Sequence, residues 1–132
     1  MEEDLAIYPE DIVALAKNAR HFGRMNDPTA AAFVKGPCGD EMEFYLVIKD
    51  GVIEEVKFYT KGCISTLVCG EVTAELAQNS SIDNALGISP KRIKEILRLP
   101  EAHSHCSILA VSTLHRAIAD YLLKNKFKVF VD

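Results

Sequence analysis

Residues 42–60 read MEFYLVIKDGVIEEVKFYT, and this stretch has the pattern of a β-hairpin. Asp50 and Gly51 form its predicted turn, because both tolerate the positive φ angles that a tight hairpin turn requires. The sequence therefore predicts two antiparallel strands, the second returning from Ile53 to Thr60. The first strand alternates strongly apolar residues with more polar ones, which is the period of a strand with one buried face; its apolar positions are Met42, Phe44, Leu46 and Ile48.

Two cysteines flank this hairpin. Cys38 precedes it within GPCGD (residues 36–40), and Cys63 follows it within KGC (residues 61–63). If pairing runs along the whole hairpin, both cysteines lie at the same end of the sheet. A third cysteine, Cys106, stands where a helical apolar pattern begins. All three are therefore predicted at breaks in structure, where side chains from distant segments can converge.

The rest of the chain predicts helices and one more short strand. Proline and acidic residues at Tyr8–Asp11 indicate a helix start, and Ala30–Val34 is a short predicted strand. The second half has helical apolar spacing, and its expected segments are a helix from Ile64 to about Asn79, a short helix or turn at Ser81–Leu86, a helix that Ser89-Pro90 starts and Pro100 ends, a helix from about Cys106 to Lys124, and a short strand or tail at Phe127–Val131.

Composition and charge narrow the class of protein. The 132 residues carry a net charge of −4 and are 48% hydrophobic, so we expect one globular domain over residues 1–132 and no nucleic-acid or membrane partner. No apolar run is long enough for a membrane span. The acidic start, Met1–Asp4, is unlike a secretory signal. Four unevenly spaced cysteines do not predict a disulfide scaffold, and a reducing cytoplasm is the expected compartment.

The three flanking cysteines have a chemical interpretation. Cys63 and Cys106 are predicted at helix N-termini, where free N–H groups lower a thiol pKa and favour the thiolate that binds soft metals. Gly39 allows the side chains of Cys38 and Asp40 to point the same way. Three thiolates and the Asp40 carboxylate would together carry about four negative charges. Such a cluster needs a cation, or a cationic iron–sulfur core, to neutralise it.

Simpler interpretations remain open at this point. Cys69 is expected to be a core residue in the middle of a helix. His21 and His115 are expected on solvated helix faces, and His103 in a surface loop. Asp40 can support the turn after Gly39. Spacing alone therefore does not decide whether Cys38, Cys63 and Cys106 converge, because there is no C-x-x-C pair among them.

Three motifs together resemble the IscU-type, NifU N-terminal-like iron–sulfur cluster scaffolds. They are GPCGD (36–40), KGCIS (61–65) and LP…HCSILA (99–110), and the likeness covers roughly residues 8 to 124 through LGI (86–88) and AIADY (117–121). The resemblance implies an α+β fold, with a small three-stranded antiparallel sheet on which helices pack. It also implies a [2Fe–2S] cluster that is assembled on the protein and then donated.

The resemblance also implies roles for single residues and partners. Cys38, Cys63 and Cys106 would be the thiolate ligands, with Asp40 and His105 as competing fourth ligands. Cys106 would accept sulfur first, because we expect it at an exposed helix start. The implied partners are a cysteine desulfurase, an iron donor, a ferredoxin-type reductant and acceptor apo-proteins. In this interpretation the protein is a platform and not an enzyme.

Several details separate this chain from neighbouring classes. The interval between Cys63 and Cys106 has no room for the insertion of SufU-type zinc proteins. Glu101-Ala102-His103 follows Leu99-Pro100 where the IscU type has Pro-Val-Lys, which argues against dedicated binding of an Hsp70-type chaperone. A zinc-binding sulfur acceptor stays as the alternative, because three cysteines with Asp or His also suit tetrahedral zinc. A cysteine-nucleophile enzyme is disfavoured, since neighbouring residues at a helix start are expected to point apart.

Overall fold

The structure of the protein is a computed structural model that describes residues 8–37 and 39–131, with side chains described as far as residue 125. Cys38, Met1–Ile7 and Asp132 lie outside the described residues. The fold is α+β, as predicted. Its elements in chain order are α1 (Glu10–Lys17), β1 (Ala30–Lys35), β2 (Glu41–Lys49), β3 (Val52–Thr60), α2 (Ile64–Ala77), α3 (Ile82–Leu86), α4 (Pro90–Leu97), a 3₁₀ turn (Glu101–His103) and α5 (Ser104–Val131).

The three strands form one antiparallel sheet in the order β1-β2-β3. The predicted hairpin is confirmed: Asp50 and Gly51 have φ angles of 52° and 75°, and Met42 pairs with Thr60 at the far end. At the outer side of β3, the backbone near Phe22 forms a short bridge with Phe58. The chain segments that enter β2 and leave β3 therefore meet at one end of the sheet.

The core lies between one face of the sheet and two helices. The four alternating apolar residues predicted for β2 are all buried, and α2 and α5 pack over this face. Eleven of the fourteen residues of α2 are buried, so this helix is covered on nearly all sides. A helix in that position cannot show the one-sided apolar stripe of a surface helix. No helix within the described residues combines the length and apolarity needed to cross a membrane.

Gly70 sets how closely α2 approaches the sheet. A Cβ atom at this position would lie 2.5 Å from two ring carbons of Phe58 and 3.2 Å from the Met42 methyl group. Both partners are fully buried side chains of the sheet. The missing side chain of Gly70 is therefore the space into which Phe58 packs.

Local capping signals place the smaller helices where the sequence predicted them. The side chains of Ser81 and Ser89 cap α3 and α4 by accepting hydrogen bonds from the backbone N–H groups of Asn84 and Arg92. The prediction for the C-terminus was wrong, because α5 is one continuous helix from Ser104 to Val131. No Gly or Pro follows Pro100, and nothing in the chain therefore interrupts the helix before residues 127–131.

The expected solvation of His21 was also wrong. Helix α1 ends at Lys17, and His21 lies in the following turn with its side chain mostly buried. Its backbone N–H donates to Glu71 Oε1 at 3.0 Å, and its ring nitrogens lie 2.7 Å from Glu71 Oε2 and 2.7 Å from Gln78 Oε1. Both ring nitrogens therefore have a side-chain oxygen within hydrogen-bond distance. The pair ties the α1–β1 connection to the fully buried carboxylate of α2.

His115 is likewise not a solvated residue. It is half-buried on α5, and its Nε2 lies 3.2 Å from the backbone oxygen of Ala85. A carbonyl oxygen accepts, so the ring donates its Nε2 proton there. His115 therefore fastens α3 to α5, which a helical periodicity pattern could not reveal.

We expect Gly70→Ala to destabilise the protein by about 1–3 kcal/mol, because the new methyl group overlaps the Phe58 ring. On propensity alone, the same change in a helix would stabilise by about 1 kcal/mol, so the sign is diagnostic. Urea denaturation measures the effect. Gly36→Ala is the matched control, since its Cβ would meet only ordinary contacts at 3.6 Å. A Gly70→Ala protein as stable as the control variant would contradict the packing argument.

We expect His21→Ala to lower the free energy of unfolding by about 2–3 kcal/mol, because it leaves the fully buried Glu71 side chain without the ring that hydrogen-bonds to it. The double variant His21→Ala/Glu71→Ala removes that buried polar group as well and should be more stable than the single variant. Denaturant midpoints of the two variants and the parent give the comparison. A single variant that unfolds at the parent midpoint would show that the pair contributes nothing.

Candidate functional site

Four of the five residues predicted as metal ligands are described, and the structure brings them to one end of the sheet. Asp40 lies in the loop before β2, Cys63 is the N-cap residue of α2, and His105 and Cys106 lie in the first turn of α5. Ligand atoms of Asp40, His105 and Cys106 all lie within 4.8 Å of one another. The fifth residue, Cys38, lies outside the described residues; it precedes Asp40 by two positions in the sequence.

The sheet fixes the loop that carries Asp40 and the segment that carries Cys63. The Gly36 N–H donates to the Asp40 backbone oxygen at 2.7 Å, which closes the loop before β2. On the paired strand, the Thr60 hydroxyl donates to the Glu41 backbone oxygen at 2.6 Å and accepts from the Gly62 N–H at 3.0 Å. The hairpin register is therefore what sets the two segments side by side.

Thr66 is the residue of this site that the sequence analysis missed. Its side chain is fully buried, and its hydroxyl donates to Asp40 Oδ2 at 2.9 Å. The Thr66 hydroxyl oxygen also lies 3.5 Å from Cys63 Sγ and 3.5 Å from Cys106 Sγ. The position three residues after the helix-capping Cys63 was the available signal, because residues i and i+3 of a helix share a face.

The pKa values of the two described thiols of the site are shifted in opposite directions. The pKa of Cys63 is lowered from 9.0 to about 5, because the Cys106 thiol donates to it and the backbone N–H groups at the start of α2 point at it. The pKa of Cys106 is raised, because it keeps the proton that it shares with Cys63 and because it is buried. At neutral pH the pair holds one proton, on Cys106.

Two expectations for Cys106 were therefore wrong. We predicted a lowered pKa and an exposed helix start, whereas the side chain is fully buried and its pKa is raised. The reason lies in the chain before it: a 3₁₀ turn at Glu101–His103 runs directly into α5. Cys106 is consequently the third residue of the helix and faces α2, where Thr66 and Cys63 cover it.

The remaining candidates are resolved as follows. Cys69 is fully buried in α2 with its pKa raised to about 12 by burial, which confirms it as a core residue.

The two histidines before Cys106 differ in their relation to the site. The His103 ring lies near the His105 ring, with centroids 6.5 Å apart, and His103 is not among the residues whose ligand atoms cluster with Asp40. His105 Nε2 lies 3.6 Å from Cys106 Sγ, so these neighbouring side chains do not point apart as expected. An enzyme that uses Cys106 as its nucleophile is still disfavoured, because a thiol that retains its proton is a poor nucleophile.

A second polar cluster lies elsewhere on α2. His21, Glu71 and Glu75 also have ligand atoms within 4.8 Å of one another, beside a cavity of about 590 Å³ that Arg20 and Lys57 also line. Burial and the neighbouring Glu71 raise the pKa of Glu75. The three groups satisfy one another with hydrogen bonds, so the cluster serves as the structural tie described above.

The first site offers a distinct set of donors. It combines a thiolate, a thiol, a carboxylate and an imidazole from three separate segments of the chain. Thiolates suit soft ions such as Cu(I), Zn(II) and iron–sulfur clusters, whereas a carboxylate is a harder ligand. The arrangement is therefore suited to a thiophilic metal group that one hard or nitrogen ligand completes.

Comparisons with known proteins agree with this chemistry. The chain matches the family described as the NifU-like N-terminal domain over residues 7–128. It is 36% identical over 121 residues to the iron–sulfur cluster assembly scaffold protein IscU 1 of Archaeoglobus fulgidus, covering 90% of this chain and 79% of that protein. It is 35% identical over 126 residues to the scaffold protein IscU of Escherichia coli K12, covering 92% and 98%.

Solved structures share the fold. The N-terminal NifU-like protein of Brucella abortus superposes with a TM-score of 0.69 at 22% identity, covering 91% of this chain and 97% of that one. A structure described as a SUF-system cluster scaffold from Fervidobacterium islandicum gives a TM-score of 0.74 at 19% identity, covering 88% and 99%. At these identities the likeness concerns the fold alone.

We expect Cys63 to react with iodoacetamide well before Cys106 and Cys69 in the metal-free protein. With a pKa of about 5, Cys63 is thiolate at pH 7, and its rate should fall only as the pH drops through about 5. Peptide mass spectrometry after a short pulse at each pH separates the sites, and the urea-unfolded chain is the control in which the cysteines become equivalent. A Cys63 rate that rises only above pH 8, or modification of Cys106 at an equal rate, would contradict the assignment.

Proposed function

Because this chain belongs to the NifU-like N-terminal domain family, we propose that it is a scaffold on which an iron–sulfur cluster is assembled and from which the cluster passes to acceptor proteins. The observation that carries this proposal is the meeting of Cys63, Cys106, Asp40 and His105 at one end of the sheet. The names of the relatives at 35–36% identity support cluster assembly over the zinc alternative.

The ligand assignment follows from the donor set. Cys38, Cys63 and Cys106 are the proposed thiolate ligands of a [2Fe–2S] cluster, with Asp40 and His105 as the candidates for the fourth position. A permanent ferredoxin-type centre uses four cysteines. A carboxylate or imidazole at one position binds iron beside sulfide less well than a thiolate. The fourth position is therefore the natural point at which an acceptor thiol displaces the scaffold.

Sulfur delivery has a simple chemical form. A thiolate of the site attacks the outer sulfur of a persulfide on a cysteine desulfurase, a new S–S bond forms, and the desulfurase thiolate leaves. Cys106 is the proposed acceptor, but it is buried and protonated, whereas Cys63 is half-buried and ionised. Delivery to Cys106 therefore proceeds through the Cys63 thiolate or after docking of the desulfurase exposes Cys106.

The remaining steps need partners of defined chemistry. Two electrons reduce each bound persulfide to sulfide, which is the role of a ferredoxin-type reductant, and an iron donor supplies the metal. Acceptor apo-proteins then take the cluster. The scaffold in this scheme binds and orients its cargo and has no catalytic residue of its own.

Anaerobic reconstitution with ferrous iron and sulfide tests the function. We expect the parent protein to become red-brown with sulfide-to-iron absorption, and Cys63→Ser and Cys106→Ser to lose most of it. Cys69→Ala is the matched control and should assemble the cluster like the parent, because Cys69 is a buried core residue whose thiol, with a pKa of about 12, keeps its proton. A colourless parent protein that retains one tightly bound zinc ion would support the zinc alternative instead.

A further inference from the structure

The Thr66 hydroxyl lies at the centre of the candidate site. One buried hydroxyl lies within hydrogen-bond distance of three candidate ligands, which come from the loop before β2, the start of α2 and the first turn of α5. A hydroxyl has a single proton to donate. The three neighbours therefore do not receive equal interactions, and the distances decide between them.

The Thr66 hydroxyl donates its proton to the Asp40 carboxylate. The contact from Thr66 Oγ1 to Asp40 Oδ2 is 2.9 Å, whereas both sulfur atoms lie at 3.5 Å. A hydrogen bond to an ionised carboxylate is roughly twice as strong as a neutral one, and sulfur is a weak acceptor. Thr66 therefore donates its proton to Asp40 and lies in longer contact with the two sulfurs.

The surrounding residues hold this hydroxyl in one direction. A Cβ atom at Gly62 would lie 2.8 Å from Thr66 Cβ and 2.9 Å from its Oγ1, so the chain before α2 packs directly against the threonine. Thr66 is β-branched and fully buried, which leaves few rotamers available. A fixed hydroxyl on a rigid helix thus orients a carboxylate that belongs to a loop.

We propose that Thr66 is a positioning residue that presents Asp40 to the metal: it binds Oδ2 and leaves Oδ1 to coordinate. This inference rests on the proposed function, in which Asp40 is a candidate ligand. Carboxylates that ligate metals are commonly held by such a second hydrogen bond, and loss of the partner weakens metal binding. Thr66 touches no cargo itself and acts through Asp40.

Cobalt titration of the metal-free protein tests the proposal without cluster assembly. Cysteine-to-cobalt charge-transfer absorption reports only this site, because the cluster around His21 contains no thiol. We expect Thr66→Val, which keeps the shape and removes the hydroxyl, to weaken cobalt binding by about 10- to 100-fold and to shift the visible bands. Thr66→Ser restores the hydroxyl and should bind like the parent.

The same titration in an Asp40→Ala background separates positioning from general damage. If Thr66 acts through Asp40, Thr66→Val should cause no further loss once Asp40 is gone. Parent-like binding by folded Thr66→Val, or an equal loss with and without Asp40, would overturn the inference. Circular dichroism and thermal melts show that each variant is folded. Failure of the parent protein to assemble a cluster would overturn the proposed function and is a separate result.

Discussion

The close approach of α2 to the sheet is the constraint on which the site depends. Gly70 lets the Phe58 ring lie against the helix backbone, and this contact sets the height of α2 above β3. Thr66 lies about one turn earlier on the same helix, and Cys63 caps that helix about two turns earlier. Gly62 has the same role at the start of the helix, because the absence of a side chain lets its backbone pack directly against Thr66. The core packing therefore fixes the positions of groups that have chemical roles.

The two described thiols show how one fold gives similar residues different properties. Cys63 caps a helix and receives its N–H groups, whereas Cys106 lies within a helix that a 3₁₀ turn precedes. One proton is shared by the pair and remains on the buried member. The metal-free site consequently carries less negative charge than its residue types suggest, which removes much of the cost of bringing these groups together.

Local signals in the sequence predicted most of the fold. The alternation in β2, the Asp50-Gly51 turn and the Ser89-Pro90 start of α4 act over a few residues, so the sequence alone identifies them. The placement of candidate ligands at the ends of elements followed from the same signals. Contacts between distant residues could not be predicted in this way, because no short-range pattern encodes the tie between His21 and Glu71 or the burial of Cys106.

The bridge beside β3 bears on how copies of this protein behave in concentrated solution. Gly23 N–H donates to the Phe58 oxygen, and Phe58 N–H donates to the His21 oxygen, so the outer backbone of β3 is already paired there. On the opposite strand, the Ala31 N–H donates to the Asp120 side chain of α5 at 3.3 Å. Strand edges with unpaired backbone groups are templates for aggregation between chains. Both edges of this sheet are occupied in part, which lowers the tendency of its strands to pair with the strands of another copy.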